Sequence, residues 1–342
     1  MRSIFAGFVH YFLAILVALV AAIPLCAADG RFDQTLPVAS PFKLDITTDA
    51  GEISVRAGES GRIEIHARLH SLDDSEDDED VAARIHAIEL SPPIEGDAHG
   101  HSVRIGHFAD QSLARDISIS YEIVVPGDTQ LRSETGLGDQ TIESILGPVD
   151  ASSGSGKLHV WHIGKDTHVS TGSGDIELRD VHGKVRAKAG TGTIYASEVL
   201  GDIGPSQRLA FAQLFSTRTG RPLAVNITPS TGVDMEIVTG SGDVDVEDLE
   251  GGLRVTSGSG NVRVSGKPAS DWQVDTGTGN VRVQFSVDAN LALVAHTSSG
   301  TIESNDAVIA PGTENPHELR GQVGKGGPTV DLKTASGDIE IK

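Results

Sequence analysis

Four aspartates hold the same place in a recurring glycine-rich phrase, an arrangement of carboxylates that could do chemistry. Asp139, Asp175, Asp243 and Asp338 each follow the last glycine of the phrase. Aligned carboxylates could cleave a glycosidic bond by acid–base catalysis or hold a calcium ion. Turns also favour Asp, whose side chain bonds its own backbone, and Lys157 takes the aspartate's place in one repeat. The sequence therefore favours a turn-forming role for these residues.

Histidines form the second group that could do chemistry. Asp97, His99, His101 and His107 are the densest cluster in the chain. A His-x-His pair on a strand places both rings on one face, where they could bind a metal ion. A solvated loop after the prolines at positions 92 and 93 is the simpler interpretation, and we favour it.

Established catalytic motifs are missing from the sequence. It contains no G-x-S-x-G nucleophile elbow, no H-E-x-x-H zinc helix and no G-x-x-x-x-G-K-[ST] phosphate loop. The Gly-Ser-Gly phrases resemble phosphate loops only superficially, because no helix is expected after them. We therefore predict no catalytic residues, no cofactor-binding residues and no metal ligands.

Composition restricts the classes of partner. The 342 residues carry a formal net charge of -21 and include 40 glycines and a single cysteine, Cys26. Binding to a nucleic-acid backbone needs clustered Lys and Arg, so the acidic balance argues against nucleic acid as a partner. Glycine at this level fits either a flexible chain or a fold with many regular turns.

The first 28 residues have the pattern of a secretory signal peptide. Arg2 is the only charged residue among them, and small residues follow an almost unbroken apolar run from Ile4 to Ile23. We predict cleavage after Ala27 or Ala28, which would leave a chain with a net charge of -22 and no cysteine. The alternative is an uncleaved anchor, because the run is long enough to span a bilayer. Either outcome predicts export to the periplasm, the cell surface or the extracellular medium, with membrane contact through this segment only if it is not cleaved.

A short phrase of the form Thr/Ser-Gly-Ser/Thr-Gly-Asp/Asn recurs along the chain, with variants, before alternating apolar residues. Its last glycine falls at positions 138, 156, 174, 192, 242, 260, 279, 300 and 337. The first three intervals, from 138 to 156, to 174 and to 192, are equal. Equal spacing indicates a structural coil repeated along an axis, and period-two alternation indicates strands with one buried face.

When the sequence is written in rows of 18 residues, residues of similar polarity fall into the same columns. Three apolar columns contain Ile142, Val160, Leu178 and Ala196; Ile145, Ile163, Val181 and Val199; and Val149, Thr167, Val185 and Ile203. Two polar columns lie between the first and second of these: Glu143, Trp161, Arg179 and Ser197; and Ser144, His162, Asp180 and Glu198. Such columns predict a packed interior and a solvated outside. In this register His162 lies beside Asp180 on the surface, as a pair that tunes solubility more than it catalyses.

We therefore predict an all-β fold, a parallel β-solenoid with coils of about 18–20 residues. A hairpin meander is the alternative, since Gly-Asp steps also occur in tight turns. The chain divides into a signal peptide (1–28), an N-terminal β-rich capping region (29–132) and the repeat solenoid (133–342). Insertions at about 204–232 and 304–328 interrupt the repeat, and we expect them to project as loops.

The capping region has two further features. Asp73 to Asp80 form an acidic block, which we expect to be a solvated loop. The spacing of Val81, Ile85 and Ile88 after it predicts a short helix. A cap is needed because an open solenoid end would expose pairing edges.

These residues resemble a known family. Strands ending in Tyr121-Glu-Ile-Val-Val-Pro126, the repeated Thr-Gly-Ser-Gly-Asp steps and a closing Thr334-Ala-Ser-Gly-Asp-Ile339 are similar to the bacterial putative-adhesin domains of unknown function, the β-strand-repeat family. The resemblance covers roughly residues 32–342. It implies a β-helical solenoid in or outside the bacterial envelope, and it carries no catalytic motif over to this chain.

Two functions from different classes follow from the sequence. The first is a non-enzymatic exported envelope or surface protein, an adhesin-like scaffold that binds an unidentified protein or glycan. The second is a carbohydrate-active β-helix enzyme that uses aligned carboxylates. The few aromatic residues and the lack of an aligned acidic column in the regular rows favour the first.

Overall fold

The computed structural model describes residues 29–72, 79–97, 99–200, 233–305, 308–309 and 315–342. Strands make up 67% of it and helices 6%, which confirms an all-β fold. The strands up to the middle of the chain are β1 (Asp29–Pro37), β2 (Lys43–Ala50), β3 (Ile53–Gly58), β4 (Arg62–Ser71), β5 (Ile94–Gly96), β6 (Ser102–Ile105), β7 (Ile117–Pro126), β8 (Gln130–Leu137), β9 (Gln140–Glu143), β10 (Val149–Ser155), β11 (Leu158–Ile163), β12 (Thr167–Ser173) and β13 (Ile176–His182).

The remaining strands are β14 (Val185–Thr191), β15 (Ile194–Leu200), β16 (Val233–Ser241), β17 (Val244–Ser259), β18 (Val262–Thr278), β19 (Val281–Phe285), β20 (Leu291–Thr297), β21 (Ile302–Ser304), β22 (Val308–Ile309), β23 (Glu318–Val323), β24 (Thr329–Ser336) and β25 (Ile339–Ile341). One helix, α1 (Glu79–Leu90), and a 3-10 turn (Gln111–Ala114) complete the elements. Among the described residues, no helix has the length and apolar character needed to cross a membrane.

Parallel pairing at the predicted interval builds the rod. Val160 pairs with Ile142 on one side and with Leu178 on the other, one repeat interval away in each direction. The same register relates β10 to β12 and β12 to β14. The parallel β-solenoid predicted from the aligned columns is therefore confirmed, and the hairpin meander is not the fold.

Each layer of the rod consists of two strands, which are joined at a glycine corner in layers 2 to 11 and by residues 106–116 in layer 1. From the N-terminal end, layers 1 to 11 are β6 with β7, β2 with β3, β8 with β9, β10 with β11, β12 with β13, β14 with β15, β16 with the first half of β17, the rest of β17 with the first half of β18, the rest of β18 with β19, β24 with β25, and β20 with β21. The first strand of each pair belongs to row A and the second to row B.

The core lies between the two rows. All eight residues of the first two predicted apolar columns are fully buried. In the third column Val149, Thr167 and Val185 are buried, whereas Ile203 lies outside the described residues. Met235 pairs with Val185 and continues that column. β-branched and leucine side chains thus fill an interior with few aromatic rings, among them the fully buried Trp272.

Glycines form the corner between row A and row B. All nine glycines of the repeat phrase have positive φ angles, from 123° to 156°. A Cβ atom at Gly174 would lie 2.1 Å from the carbonyl oxygen of Gly156 in the layer below. Each corner therefore requires glycine for two reasons, its backbone conformation and the close approach of the neighbouring layer.

The N-terminal region contributes layers as well as a cap. β2 and β3 stack in parallel on β8 and β9, so the solenoid extends into the region 29–132 that the sequence assigns to the cap. Capping is done by antiparallel strands: β4 covers β7, β1 covers β4, and β5 covers β6. The predicted helix forms as α1 and buries Val81, Ile85 and Ile88.

Both ends of the rod depart from chain order. β24 lies between β18 and β20, and β25 lies between β19 and β21. The C-terminal segment is therefore inserted as layer 10 between layer 9 and layer 11, although layer 11 precedes it in the sequence. At the other end β2 lies between β6 and β8 in the same manner.

The predicted signal peptide and the first insertion lie outside the described residues, and the second insertion is described in part. Residues 1–28 and 204–232 lie outside the described residues, as do positions 73–78 of the acidic block. The insertion at 304–328 is described in part. It contains β23, which runs antiparallel to β20 and covers the outer edge of layer 11.

Candidate functional site

The aspartates of the repeat phrase are spread along the rod and bind backbone. The Oδ1 atoms of Asp139, Asp175, Asp243 and Asp338 each accept a hydrogen bond from a backbone N–H of a neighbouring layer, with N to O distances of 2.7, 3.0, 2.7 and 2.8 Å. A turn-forming role predicts bonds to their own backbone, and this prediction is wrong, because each bond reaches the backbone of the adjacent layer. A carboxylate held in this way links two layers, and these aspartates do not gather into a catalytic cluster.

The histidine cluster near residue 100 is a turn. Asp97 Oδ1 accepts hydrogen bonds from the backbone N–H groups of His99 and His101, both at 2.9 Å. These bonds, above all that from His101, lower the pKa of Asp97. His107 lies apart from them, with Nε2 3.8 Å from Asp45 Oδ1. Within the described ranges, no three His, Cys, Asp or Glu side chains are placed to hold a metal ion.

A groove with a volume of about 810 Å³ runs along row A. Four carboxylates line it, and each has a partner within the protein. Asp150 lies 3.8 Å from His168, and Glu236 lies 2.8 Å from Arg186. Asp166 and Asp271 accept backbone N–H groups. The carboxylates of this groove are therefore engaged within the protein.

The outer side of row B carries a group of aromatic, charged and hydroxyl side chains. We call it the polar face: three positions on the outer side of row B in each of layers 3 to 7, namely Thr141, Glu143 and Ser144; His159, Trp161 and His162; Glu177, Arg179 and Asp180; Tyr195, Ser197 and Glu198; and Asp245, Glu247 and Asp248. Ser144 and Ser197 are buried, and the others are at least partly exposed. Strand pairing sets them in columns, because the residues that pair lie side by side on one surface. These include both polar columns predicted from the sequence.

A network of ion pairs and rings crosses the polar face. Glu177 accepts hydrogen bonds from His159 Nδ1 and from an Arg179 guanidinium N–H, both at 3.1 Å. The His159 ring lies edge-on to Trp161, with centroids 5.7 Å apart. In the next layers the Tyr195 hydroxyl donates to Glu247 at 2.8 Å, and this bond raises the pKa of Tyr195. Neighbouring layers thus hold the side chains of this face in fixed positions.

The edge of the polar face has unusual backbone geometry. Ser144, His162, Asp180, Glu198 and Asp248 occupy equivalent corners of layers 3 to 7, and all have φ between 51° and 64°. Side chains other than glycine are uncommon there and cost free energy, and such outliers cluster at functional sites. The opposite corner uses glycine throughout. Polar side chains have been kept here at an energetic cost, which points to a use for them.

His162 and Asp180 form the pair predicted from the sequence, and a second histidine joins them. His162 Nδ1 lies 2.9 Å from Asp180 Oδ2, and Nε2 of the fully buried His182 lies 3.1 Å from Asp180 Oδ1. Burial alone would raise the pKa of Asp180, but hydrogen bonds from His162 and His182 outweigh it and hold that pKa well below its usual range. The bond to Asp180 raises the pKa of His162. His182 lies outside the two polar columns of the repeat, so the sequence pattern does not predict its contact with Asp180.

This pair makes stability depend on pH. A raised histidine pKa stabilises the folded state below pH about 6.5, and the contribution is lost as pH rises through the folded-state pKa. We expect His162→Gln to destabilise the protein by about 1 kcal/mol at pH 6, after allowance for solvent screening, and by clearly less at pH 9. Urea unfolding at both pH values measures this.

His168→Gln is the matched control, because His168 is half exposed and lies 3.8 Å from its partner Asp150. Its effect should be small at both pH values. An equal loss of stability at pH 6 and pH 9 in His162→Gln would contradict the charge-based account.

Fold and surface together define a class, a parallel β-solenoid that displays a charged and aromatic face on one row of strands. Residues 163–342 match the family model described as Toastrack DUF4097, and the chain belongs to this family. The resemblance to a domain of unknown function is thereby supported, while the Gly-Ser-Gly-Asp phrase as a family hallmark stays a prediction. No curated protein matches the chain.

Two solved structures are similar over most of the chain. One is the crystal structure of a "putative cell adhesion protein" from Clostridium sporogenes, with 11% identity, coverage of 91% of this chain and 99% of that one, and a TM-score of 0.22. The other is a "putative adhesin" from Bacteroides fragilis, with 11% identity, coverage of 91% and 97%, and a TM-score of 0.33. Likenesses this distant carry no argument about what the present chain binds.

Proposed function

We propose that this protein is a non-enzymatic, exported scaffold that binds a partner in the bacterial envelope or at the cell surface through the polar face. The run of five polar side chains in a positive-φ conformation supports this most directly, because it keeps costly geometry where glycine would fit. The rigid stack of layers beneath it also favours binding, since preorganised side chains lose little entropy when a partner docks.

The geometry gives less support to an enzyme. The alternative function, cleavage of a carbohydrate, depended on aligned carboxylates. Asp139, Asp175, Asp243 and Asp338 instead accept backbone hydrogen bonds between layers. Export rests on the predicted signal peptide in residues 1–28, and the exclusion of nucleic acid rests on the charge of -21.

Sedimentation with an isolated bacterial envelope fraction tests the proposal. The processed protein, purified after export, should co-sediment with the fraction. We expect the double variant Trp161→Ala with Arg179→Ala to reduce the bound amount about tenfold, because both side chains lie on the polar face. Arg254→Ala, on row A, is the matched control and should bind like the unmodified protein.

Two results would overturn the proposal. One is equal sedimentation of all three proteins, which would place binding elsewhere. The other is turnover in a screen of neutral and anionic polysaccharides, which would make the protein an enzyme.

A further inference from the structure

The polar face combines an aromatic ring with fixed hydrogen-bonding groups, and these point to a class of ligand. Trp161 is partly exposed on the outer side of layer 4, and Tyr195 stands two layers away on the same side. Of the aromatic rings in the described residues, Phe32, Phe42, Tyr121 and Trp272 are buried in the core. Aromatic side chains kept at a surface offer a flat apolar area with little conformational entropy to lose.

The indole N–H of Trp161 makes no hydrogen bond to the described part of the chain. Its Nε1–H is screened from solvent and has no hydrogen-bond partner among the described residues. Trp272 Nε1–H, by contrast, donates to the Gly251 carbonyl at 2.7 Å. A buried N–H without a partner lowers stability, so we attribute the presence of tryptophan at this position to its aromatic ring and not to its N–H.

Beside this ring lie groups that match sugar hydroxyls. Glu177 is held by His159 and Arg179, so acceptor and donor atoms stand together in a fixed arrangement. Hydroxyl groups of a saccharide both donate and accept, while the C–H face of its ring packs on an aromatic side chain. The same combination of ring and polar groups recurs two to three layers further, with Tyr195 and Glu247 bonded to each other.

Charge narrows the class of saccharide. The polar face carries seven carboxylates: Glu143, Glu177, Asp180, Glu198, Asp245, Glu247 and Asp248. Arg179 is its one arginine or lysine. An anionic polysaccharide would be repelled by this excess. Glu177, in the layer next to Trp161, is bonded to Arg179 and His159, so it offers hydrogen bonds more than net charge to a ligand. Glu247 accepts a hydrogen bond from the neutral Tyr195 hydroxyl, which does not compensate its charge.

We infer that the polar face binds a neutral oligosaccharide, stacked on Trp161 and hydrogen-bonded by Glu177, Arg179 and the groups of the adjoining layers. The inference rests on the proposed function and names its ligand. Layers repeat at roughly 4.8 Å, so the five layers of this face offer an elongated surface on which several sugar units can lie along the rod.

Tryptophan fluorescence tests the inference, because the chain has two tryptophans and Trp272 is fully buried. Titration of the processed protein with neutral hexasaccharides of glucose, mannose and N-acetylglucosamine should give saturable quenching by at least one of them. Hyaluronan and an oligolysine peptide are the anionic and cationic comparisons, and neither should saturate the signal.

Variants at one position separate stacking from folding. Trp161→Ala should weaken saccharide binding about tenfold or more by calorimetry. Trp161→Phe keeps a ring and loses no hydrogen bond, so it should bind within about threefold of the unmodified protein. Arg179→Ala removes a donor without touching the ring and should also weaken binding, while circular dichroism confirms that each variant is folded.

The outcomes distinguish this inference from the proposed function. Envelope sedimentation without saturable binding of any neutral hexasaccharide overturns the inference and leaves the scaffold function standing. Saturable binding of oligolysine alone overturns it in favour of a cationic protein partner. Loss of binding in Trp161→Phe equal to that in Trp161→Ala would refute the stacking role, and failure of both envelope and saccharide binding would refute both proposals.

Discussion

Gly174→Ala is expected to destabilise the protein by about 3 kcal/mol or more. The new Cβ would lie 2.1 Å from the Gly156 carbonyl oxygen and 2.6 Å from its carbonyl carbon, so two layers must separate locally. The φ angle of 151° adds backbone strain that alanine does not tolerate. Effects of this size come from clashes and strain at special backbone positions. Urea unfolding of the two proteins measures the difference.

Gly61→Ala separates the two causes. Gly61 also has a positive φ, of 86°, but a Cβ atom there would meet nothing within 4 Å. This control should therefore cost only the backbone strain, about 1 kcal/mol. If both substitutions destabilise the protein equally, close stacking of the corners contributes nothing, and the explanation of the repeated glycine would be wrong.

Deletion of residues 329–342 is the change for which we expect the largest effect. These residues form layer 10, which pairs with layer 9 on one side and layer 11 on the other. Val330, Leu332, Ile339 and Ile341 are fully or almost fully buried. Loss of their burial removes on the order of 6 kcal/mol or more of stabilising free energy. Layer 11 also loses the parallel strands with which it pairs.

Hydrogen–deuterium exchange of β20 measures this effect. In the truncated protein the amides of β20 should exchange much faster, whereas those of β12, in the middle of the rod, should remain protected. A synthetic peptide of residues 329–342 should restore protection when added in excess, since it can occupy the vacant layer. Unchanged exchange in β20 would show that layer 11 holds its place without layer 10.

Much of this fold could be predicted because the repeat imposes a register. Once Ile142, Val160 and Leu178 fall into one column, parallel pairing at the repeat interval follows, and so does the burial of that column. The helix over 79–90 was predictable for a similar reason, from the spacing of Val81, Ile85 and Ile88. Local patterns of this kind carry the information for local structure and for the identity of the buried face.

Layer order could not be predicted in this way. The corners at Gly300 and Gly337 have the same local sequence features wherever their layers stand in the rod. Contacts between segments distant in sequence decide that Gly337 stacks on Gly279 and that Gly300 stacks on Gly337. Layer 2 cannot be recognised from the repeat phrase, because its corner at Gly51 lacks the preceding glycine and serine of that phrase.

The candidate site was visible in part. Columns in the sequence placed Trp161, Arg179, His162 and Asp180 on the outside, and the His162–Asp180 pair is present. The positive φ angles along the edge of the polar face could not be predicted, because serine, histidine, aspartate and glutamate adopt such angles much less often than glycine does. The contact between Tyr195 and Glu247 could not be predicted, since the insertion at about 204–232 interrupts the repeat between them.

The position of layer 10 determines how the rod would respond to a mechanical load. In a solenoid stacked in chain order, tension on the C-terminal segment peels the outermost coil away, one hydrogen bond after another. Here β24 and β25 are bordered by strands on both sides. Tension directed along them must shear two rows of hydrogen bonds at once, so the C-terminal segment resists extraction more strongly than an outermost coil would.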